Sequence, residues 1–400
     1  MKNLRFVSIA VLVFLAAASL SGQTTTTAPA AAATATPTPA PSHWTVVVSP
    51  NVSGQDNILA AVSANAANDV WAVGQFIPDA NQDLTQTLIE HWNGTVWSAV
   101  PSPNIGNFAN ALFAVSAKGG LAWAVGYFID STNNFNPKSL ILAWDGKNWN
   151  VVNHPHVGTG DQLVAVSAIS PTDIWAVGFQ RDSTGKFSTL IEHFDGSDWD
   201  VVSSQNPGTT GNQLLAVNAV SSKSVWAVGS QTGNHGPDIP LIEHWNGSTW
   251  STVAPPAAGA FSTQLFGVSG VTDADVRAVG DKQDNIHSPK TLAENGVNGV
   301  FSLQTADNVG TGENHLYGIA AFSDDLAFAV GDALDPTTGN FNNLVERCTD
   351  SGCTQEAVPN PSQGGNNQLG GVVVLSATEA WAVGAFDGPN APQTLVLHRQ

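Results

Sequence analysis

The tetrapeptide Trp-Ala-Val-Gly, first found at residues 71–74, constrains the fold most because it recurs along nearly the whole chain. Successive copies start 51 to 53 residues apart, and two of them replace the Trp by Arg or Phe. A regular period of this length is typical of repeat folds. The seven copies begin at Trp71, Trp123, Trp175, Trp226, Arg277, Phe328 and Trp381.

Four short segments recur in each period and indicate four strands per repeat. In the first period they are residues 59–63, 70–74, 88–92 and 97–100, each bounded by Gly, Asn, Asp or Pro. Their β-branched and aromatic residues are typical of strands. Four strands per repeat make one propeller blade. We therefore predict an all-β, seven-bladed propeller of antiparallel blades, with inner strands starting near residues 58, 111, 162, 213, 264, 315 and 368.

The two ends of the repeat region complement each other. The seventh period supplies only three strands before Gln400, and residues 44–51 match residues 97–104, including the Ser-Pro-Asn ending. Pairing the first strand with the last would remove two open sheet edges. We predict that the N-terminal strand closes the ring in the last blade.

Two segments of different composition precede the repeats. Residues 1–22 combine a basic start with an apolar run and predict a secretory signal. Residues 23–42 are rich in Thr, Ala and Pro and predict a disordered spacer before a propeller at residues 43–400. No later segment is apolar enough to span a bilayer. A secreted or periplasmic location follows as an expectation.

The charge balance bears on partners. The chain has 32 acidic against 13 basic residues, a net charge of −19. Nucleic-acid binding needs a basic footprint, so this class is excluded. We expect a monomer whose partner is an extracellular glycan, peptide or protein.

The only two cysteines, Cys348 and Cys353, flank the turn between the third and fourth strands of the sixth repeat. In an exported protein this placement predicts a hairpin disulfide. A redox or metal-binding pair is the alternative.

The repeats resemble those of secreted bacterial β-propellers, which read Trp-Ala-Val-Gly, then Leu-Ile-Glu-His-Trp-Asn-Gly as at residues 88–94, then a Trp such as Trp97. The resemblance covers about residues 43–400. It implies the fold and export, and little about activity. The fifth repeat departs most, with Arg277 and the segment 291–296, and the sixth has Phe328.

Strand order separates two faces of the ring. We call "top" the face where each inner strand begins, so loops between second and third strands, and between blades, lie on top. These loops are long and variable, whereas the bottom has short Asn-Gly or Asp-Gly hairpins such as residues 93–94. Function is therefore expected on the top face.

A polar residue precedes each inner strand. One interpretation is a set of turns that direct the chain into the strand. The other is a ring of side chains around the channel mouth that binds a polar ligand. The positions are Asn57, Asn110, Asp161, Asn212, Thr263, Asn314 and Asn367.

Metal sites have weak support. Asp79, Asn81 and Asp83 have the spacing of a calcium loop, but Leu84 stands where such loops need Gly, which favours a solvated loop. His154 and His156 would offer two ligands without a third partner. Four histidines in register are assigned to structure because blades are spread around a ring: His91, His193, His244 and His398. No cofactor is predicted, with Ca²⁺ as the alternative.

Charged residues gather in the divergent fifth repeat: Arg277, Asp281, Lys282 and His287. Broken repeat symmetry predicts a binding role for Arg277 and Asp281. Drift within one blade gives the same pattern, with Arg277 paired to an acid at residue 273 or 275.

Three classes of function remain. We favour a non-enzymatic module that binds its partner through the top face. A carbohydrate-active enzyme would need carboxyl groups from different blades within about 5–10 Å at the channel mouth. The third class is a purely structural surface module. No catalytic residue is predicted.

Overall fold

The computed structural model describes residues 43–79, 84–233, 236–256, 261–283 and 289–400. These residues form seven four-stranded antiparallel sheets and one 3₁₀ helix, Ser131–Asn133. The chain is a seven-bladed β-propeller, as the repeat predicts. No helix within the described ranges has the length and apolar character needed to cross a membrane. The predicted signal and spacer lie outside the described residues.

Each blade consists of an inner, a second, a third and an outer strand. The inner strands are β2 (Asn57–Ala66), β6 (Ala109–Lys118), β10 (Gly160–Ser170), β14 (Gly211–Ser221), β18 (Ser262–Thr272), β22 (Asn314–Ser323) and β26 (Asn367–Val374). The second strands are β3 (Asp69–Phe76), β7 (Leu121–Ile129), β11 (Asp173–Arg181), β15 (Ser224–Thr232), β19 (Asp275–Gln283), β23 (Leu326–Leu334) and β27 (Ala380–Asp387). The third strands are β4 (Gln86–Trp92), β8 (Pro137–Trp144), β12 (Phe187–Phe194), β16 (Asp238–Trp245), β20 (Lys290–Val297), β24 (Phe341–Thr349) and β28 (Pro392–Arg399). The outer strands are β5 (Trp97–Ala99), β9 (Trp149–Val151), β13 (Trp199–Val201), β17 (Trp250–Val253), β21 (Val300–Gln304), β25 (Gly352–Glu356) and, in blade 7, β1 (Trp44–Val46).

The N-terminal strand closes the ring. Strand β1 pairs with β28 in a sheet of order β1-β28-β27-β26. The indole of Trp44 is buried, lies 5.9 Å from the ring of Phe328 in blade 6, and donates its Nε1 proton to Glu356 Oε2 at 2.9 Å. Glu356 also pairs with Arg399 of β28 at 3.1 Å. Strands β1 and β28 are therefore both held against blade 6.

The repeated Trp fills the seam between its own blade and the next. Trp71 lies 4.8 Å from Trp144 and 5.2 Å from Trp149 of blade 2, and a shared apolar cluster surrounds all three rings. The four histidines in register stack on the Trp of their own blades, with ring centroids 3.8 to 4.1 Å apart: His91, His193, His244 and His398. They are part of the packing and do not converge on one site.

Steric constraints explain why the last residue of the repeated tetrapeptide is glycine. In every blade the pairing between inner and second strands skips one inner-strand residue, as between Leu59 and Ala61 in blade 1. Opposite this irregularity, a Cβ on Gly74 would lie 2.0 Å from the carbonyl oxygen of Ile58, and the equivalent glycines show 1.9 to 2.1 Å. The backbones approach so closely that only glycine fits.

Replacing one such glycine is expected to destabilise the fold strongly. In Gly229→Ala the new Cβ would lie 2.1 Å from the Gln213 carbonyl oxygen, so β14 or β15 must shift. We expect a loss of about 3 kcal/mol in urea unfolding, the upper end for overpacking. Gly233→Ala is the matched control because nothing lies within 4 Å of its Cβ position. Equal unfolding midpoints for the two variants would refute this explanation.

The third and outer strands are joined by side chains at the rim. In four blades an aromatic pair with centroids 5.6 to 6.0 Å apart makes the contact. In blade 6 the directly opposed Cys348 and Cys353 form a disulfide at the same position, with Cα atoms 3.9 Å apart. In blade 5 the Phe301 ring covers Gly296. The predicted hairpin disulfide thus takes the place of an aromatic pair.

Candidate binding face

The polar residues that precede the inner strands are used by the protein itself. Asn110 is buried, accepts a hydrogen bond from Gly106 N at 2.8 Å and donates one to Gly106 O at 2.8 Å. The Asn110 side chain therefore bonds back to the loop four residues earlier. The same buried arrangement holds for Asn57, Asn212, Asn314 and Asn367.

Asp161 has the same role in blade 3 with more partners. Its carboxylate accepts hydrogen bonds from Ser139 N at 2.6 Å and Val157 N at 2.7 Å, and Lys138 Nζ lies 3.7 Å away. Burial acts against ionisation, but the hydrogen bonds from His156 and Ser139 outweigh it and lower the pKa of Asp161. A carboxylate so fully bonded has no free oxygen for a ligand.

His154 and His156 do lie together, with ring centroids 4.8 Å apart. Each, however, has its own acid: His154 Nδ1 is 3.0 Å from Glu192 Oε2, and His156 Nδ1 is 3.3 Å from Asp161 Oδ1. The pair therefore links blades 2 and 3 by hydrogen bonds. The predicted metal role of these histidines stays a prediction.

Within the described ranges, one group of three potential ligands is compact enough to share an ion. It consists of Glu346, Cys348 and Cys353. Both sulfur atoms are bound in the disulfide, so they are not available as thiolates. Asn81 and Asp83 of the proposed calcium loop lie outside the described residues, whereas Asp79 lies within them.

Arg277 and Asp281 lie towards opposite ends of β19 and do not form one site. Arg277 is buried near the bottom face, where its guanidinium is 2.7 Å from Asp350 Oδ1 and 3.7 Å from Asp275 Oδ1. It also donates to the Asp324 carbonyl. Arg277 therefore occupies the Trp position, and its buried guanidinium pairs with an exposed acid of blade 6. The neighbouring His287 lies outside the described residues.

Asp281 belongs to a polar network that links blades 5, 6 and 7 near the top. Its Oδ2 lies 2.7 Å from His315 Nδ1 on β22, and Glu313 Oε2 is 3.9 Å from the other ring nitrogen. Asp332 on β23 accepts a hydrogen bond from Gln368 Nε2 at 3.0 Å. We call these five residues the His315 cluster. Carboxyl groups from two adjacent blades thus surround one imidazole.

The protonation of the cluster follows from burial and charge. Burial opposes protonation of His315, but hydrogen bonds to Asp281 and Glu313 prevail and raise its pKa to about 10. Burial raises the pKa of Asp332 to about 7, although the charge of His315 acts in the opposite direction. Asp332 is fully buried. A glycosidase needs an acid and a base that both reach the sugar, and Asp332 does not meet that requirement.

Five glutamates occupy one repeat position in the third strands and are sealed in the seams between blades. They are 0 to 1% exposed, and burial raises the pKa of each, to about 7 for Glu243. Burial raises the pKa of Glu90, Glu294 and Glu346 to about 8. The set is Glu90, Glu192, Glu243, Glu294 and Glu346. Their burial makes them a determinant of stability, not of surface chemistry.

Large apolar side chains, in contrast, are exposed at the top face, three of them on loops and Ile239 at the start of β16. Ile105, Phe135, Ile239 and Phe261 are each 43 to 48% exposed. The bottom face has exposed apolar side chains as well, among them Phe322 at the end of β22. Exposed large apolar side chains therefore occur on both faces, and those of the top face lie in segments that differ from blade to blade.

Comparison with known proteins supports the fold. No protein-family model matches the chain, and no curated protein sequence matches it. The structure of YCF48 bound to a D1 peptide is similar, with a TM-score of 0.52 and 12% identity over 89% of this chain and 96% of that one. The GH74 xyloglucanase from Xanthomonas campestris is also similar, with a TM-score of 0.52 and 12% identity over 86% of this chain and 53% of that one. At such identities the likeness is one of fold alone.

Sequence reasoning missed His315, Asp332 and Phe135. Asp332 directly follows the repeat glycine, as Asp281 does in the preceding blade, so the repeat alignment contained that signal. His315 occupies the inner-strand position that carries Gln368 in the next blade. Phe135 had no repeat signal because it lies in a loop that differs between blades.

Proposed function

We propose that this chain is an exported, non-catalytic binding module whose top-face loops hold a peptide or protein segment. The observation that carries the proposal is the exposure of large apolar side chains on loops that differ from blade to blade. Apolar anchors of this kind dominate the binding energy of protein interfaces. The side chains of Asp161, Asp281 and His315 near the same face are bonded within the protein, which supports binding over catalysis.

Two further observations support this proposal. A propeller of the same fold has been solved with a peptide bound, so the architecture is compatible with that role. The disulfide supports export, since such bonds persist in oxidising compartments. Lasting association with an anionic partner is disfavoured by the net charge of −19.

A second candidate is a carbohydrate-active enzyme. One observation favours it: the carboxyl groups of Asp281 and Asp332, from adjacent blades, both lie near His315. The top face would have to open for Asp332 to reach a substrate. Hydrolysis of a polysaccharide such as xyloglucan by the wild type, and its loss in Asp332→Asn, would establish this candidate.

The proposed function is tested by selection from a displayed library of random peptides, with a glycan array as the alternative probe. We expect peptides to be retained. The double variant Ile239→Ser/Phe261→Ser should lower the affinity for at least some of the selected peptides about tenfold or more. Phe322→Ser is the control because it removes an exposed aromatic side chain from the bottom face. Retention of no peptide, or loss of binding in the control alone, would refute the proposal.

A further inference from the structure

The top of blade 2 carries an apolar patch formed by two neighbouring loops. The rings of Phe108 and Phe135 meet edge to face with centroids 5.1 Å apart. Ile105, in the same loop as Phe108, is 43% exposed, and Phe135 is 46% exposed. A hydrogen bond from Ser131 N to Asn107 Oδ1 at 2.8 Å joins the two loops.

A small buried cluster supports this patch from below. It contains Ala109, Ala111, Tyr127 and Ile129, with Phe108 packed against it, and it is separate from the clusters that fill the seams. The ring of Phe108 is thus anchored in the blade, whereas the ring of Phe135 rests on it from the loop above. This places an aromatic side chain at a fixed position in water.

The backbone of Phe135 is held in a costly conformation. Its φ is +56°, and that of Asn134 is +51°. Asn tolerates the left-handed region because its short polar side chain bonds locally, but a bulky aromatic residue there is a true outlier. Strain of this kind persists where the surroundings enforce it and is concentrated at binding sites. A glycine would adopt this φ without strain, so the backbone conformation does not favour a phenylalanine here.

The charge beside the patch is negative. Asp130 opens the loop, accepts hydrogen bonds from Thr132 N at 2.8 Å and Thr132 Oγ1 at 2.7 Å, and has its pKa lowered by them. Lys138, on the first residues of β8, is directed to the carboxylate of Asp161 at 3.7 Å. The loop that carries Phe135 therefore also carries a hydrogen-bonded carboxylate that forms no ion pair within the described residues, in a chain with a net charge of −19.

We infer that the loop of residues 130–136, together with Phe108 and Ile105, docks a peptide segment in which a large apolar side chain adjoins Lys or Arg. This inference rests on the proposed function and gives it a position and a ligand chemistry. The apolar side chain packs against the exposed ring of Phe135 and the accessible part of Phe108, and the basic residue approaches Asp130. A neutral or acidic peptide lacks the second contact and binds more weakly.

The decisive variant is Phe135→Gly, because it removes the ring and relieves the backbone at the same time. We expect its melting midpoint to stay within about 2 °C of the wild type, since lost ring contact and relieved strain offset each other. We expect the affinity of peptides selected on the wild type to fall about tenfold or more. Asn134→Gly is the matched control, which relieves the neighbouring residue and keeps both rings.

The composition of the selected peptides is a second readout that does not depend on the variants. We expect enrichment of Leu, Ile, Phe or Trp next to Lys or Arg, and affinity that falls as salt is raised from about 50 to 500 mM. Asp130→Asn should reduce this salt dependence while Phe135→Gly removes binding. Replacing the basic residue of a selected peptide by Gln should lower its affinity for the wild type and have little effect on its affinity for Asp130→Asn.

The inference is overturned if peptide binding survives Phe135→Gly, or if this variant melts more than about 5 °C lower and so marks the ring as structural. It is also overturned if the selected peptides carry no basic residue, or if the glycan array retains ligands in place of peptides. If peptide binding survives Phe135→Gly but is abolished by Ile239→Ser/Phe261→Ser, the proposed function still stands. If no probe is retained at all, the proposed function has failed as well.

Discussion

Removal of residues 1–51 is expected to lower the melting midpoint by about 10 °C or more relative to removal of residues 1–41. Only the longer deletion takes away β1 and with it Trp44, whose buried indole contacts Phe328 and Glu356. Loss of a buried Trp alone costs about 3–5 kcal/mol. The deletion also leaves β28 as an open edge, so we expect concentration-dependent association in light scattering.

A point variant separates the packing of Trp44 from the pairing of the strand. Trp44→Ala keeps β1 and its ladder with β28 but removes the indole, so most of the loss in stability should remain without the association. Val48→Ala is the control because this side chain is 88% exposed. Equal melting midpoints for the two deletions would contradict the closure of the ring by β1.

The free energy of unfolding is expected to fall by at least about 3 kcal/mol between pH 5 and pH 8. The five seam glutamates cause this. Burial raises the pKa of Glu90, Glu294 and Glu346 from 4.5 to about 8 and that of Glu243 to about 7. Folded protein therefore keeps protons that the unfolded chain has already lost.

The sign follows from proton binding. Below pH 4.5 both states carry the proton, and the stabilising contribution is complete. As the pH rises towards 8 the unfolded chain releases the proton first. Ionisation therefore stabilises the unfolded state, and the free energy of unfolding falls. Asp332 and His315 act in the same direction, because their folded pKa values are also raised. His244 and His398 act in the opposite direction, since burial lowers their pKa.

Glu294→Gln tests this explanation because the amide has the shape of the carboxyl group and cannot ionise. Glu294 is 1% exposed and has no hydrogen-bond partner for its carboxyl oxygens within the described residues. We expect the variant to be more stable than the wild type at pH 8 and to lose less stability between pH 5 and pH 8, measured by urea unfolding. Asp325→Asn, at an exposed acid, is the control. A slope unchanged from the wild type would refute the role of the seam glutamates.

The sequence predicts the architecture well because each blade packs in the same way, so the same residue types recur at equivalent positions. Trp71 and Gly74 recur at a fixed spacing, since the seams of six blades take a large ring at this position and every inner strand lies too close to its neighbour for a Cβ at the glycine. The match between residues 44–51 and 97–104 predicts the closing strand for the same reason. These inferences depend on periodicity, which a single sequence shows directly.

The candidate site is predicted far less well because its residues depend on contacts between blades. Asn110 and its equivalents allow two interpretations in sequence, turns or ligand contacts, and only the structure shows that the Asn110 side chain bonds back to its own loop. Arg277 breaks the repeat, and its guanidinium pairs with Asp350, 73 residues later, a partner that the repeat pattern does not indicate. Phe135 stands out only when its exposure and its positive φ are known.

The claim that the top face binds the partner is tested most directly by hydrogen–deuterium exchange of the full chain, with and without a saturating library-selected peptide. We predict slower exchange in the top loops at residues 100–108 and 130–136, and unchanged exchange in the bottom hairpins at residues 93–96 and 297–300. Protection confined to the bottom hairpins, or absent from the top loops at saturation, would contradict the account.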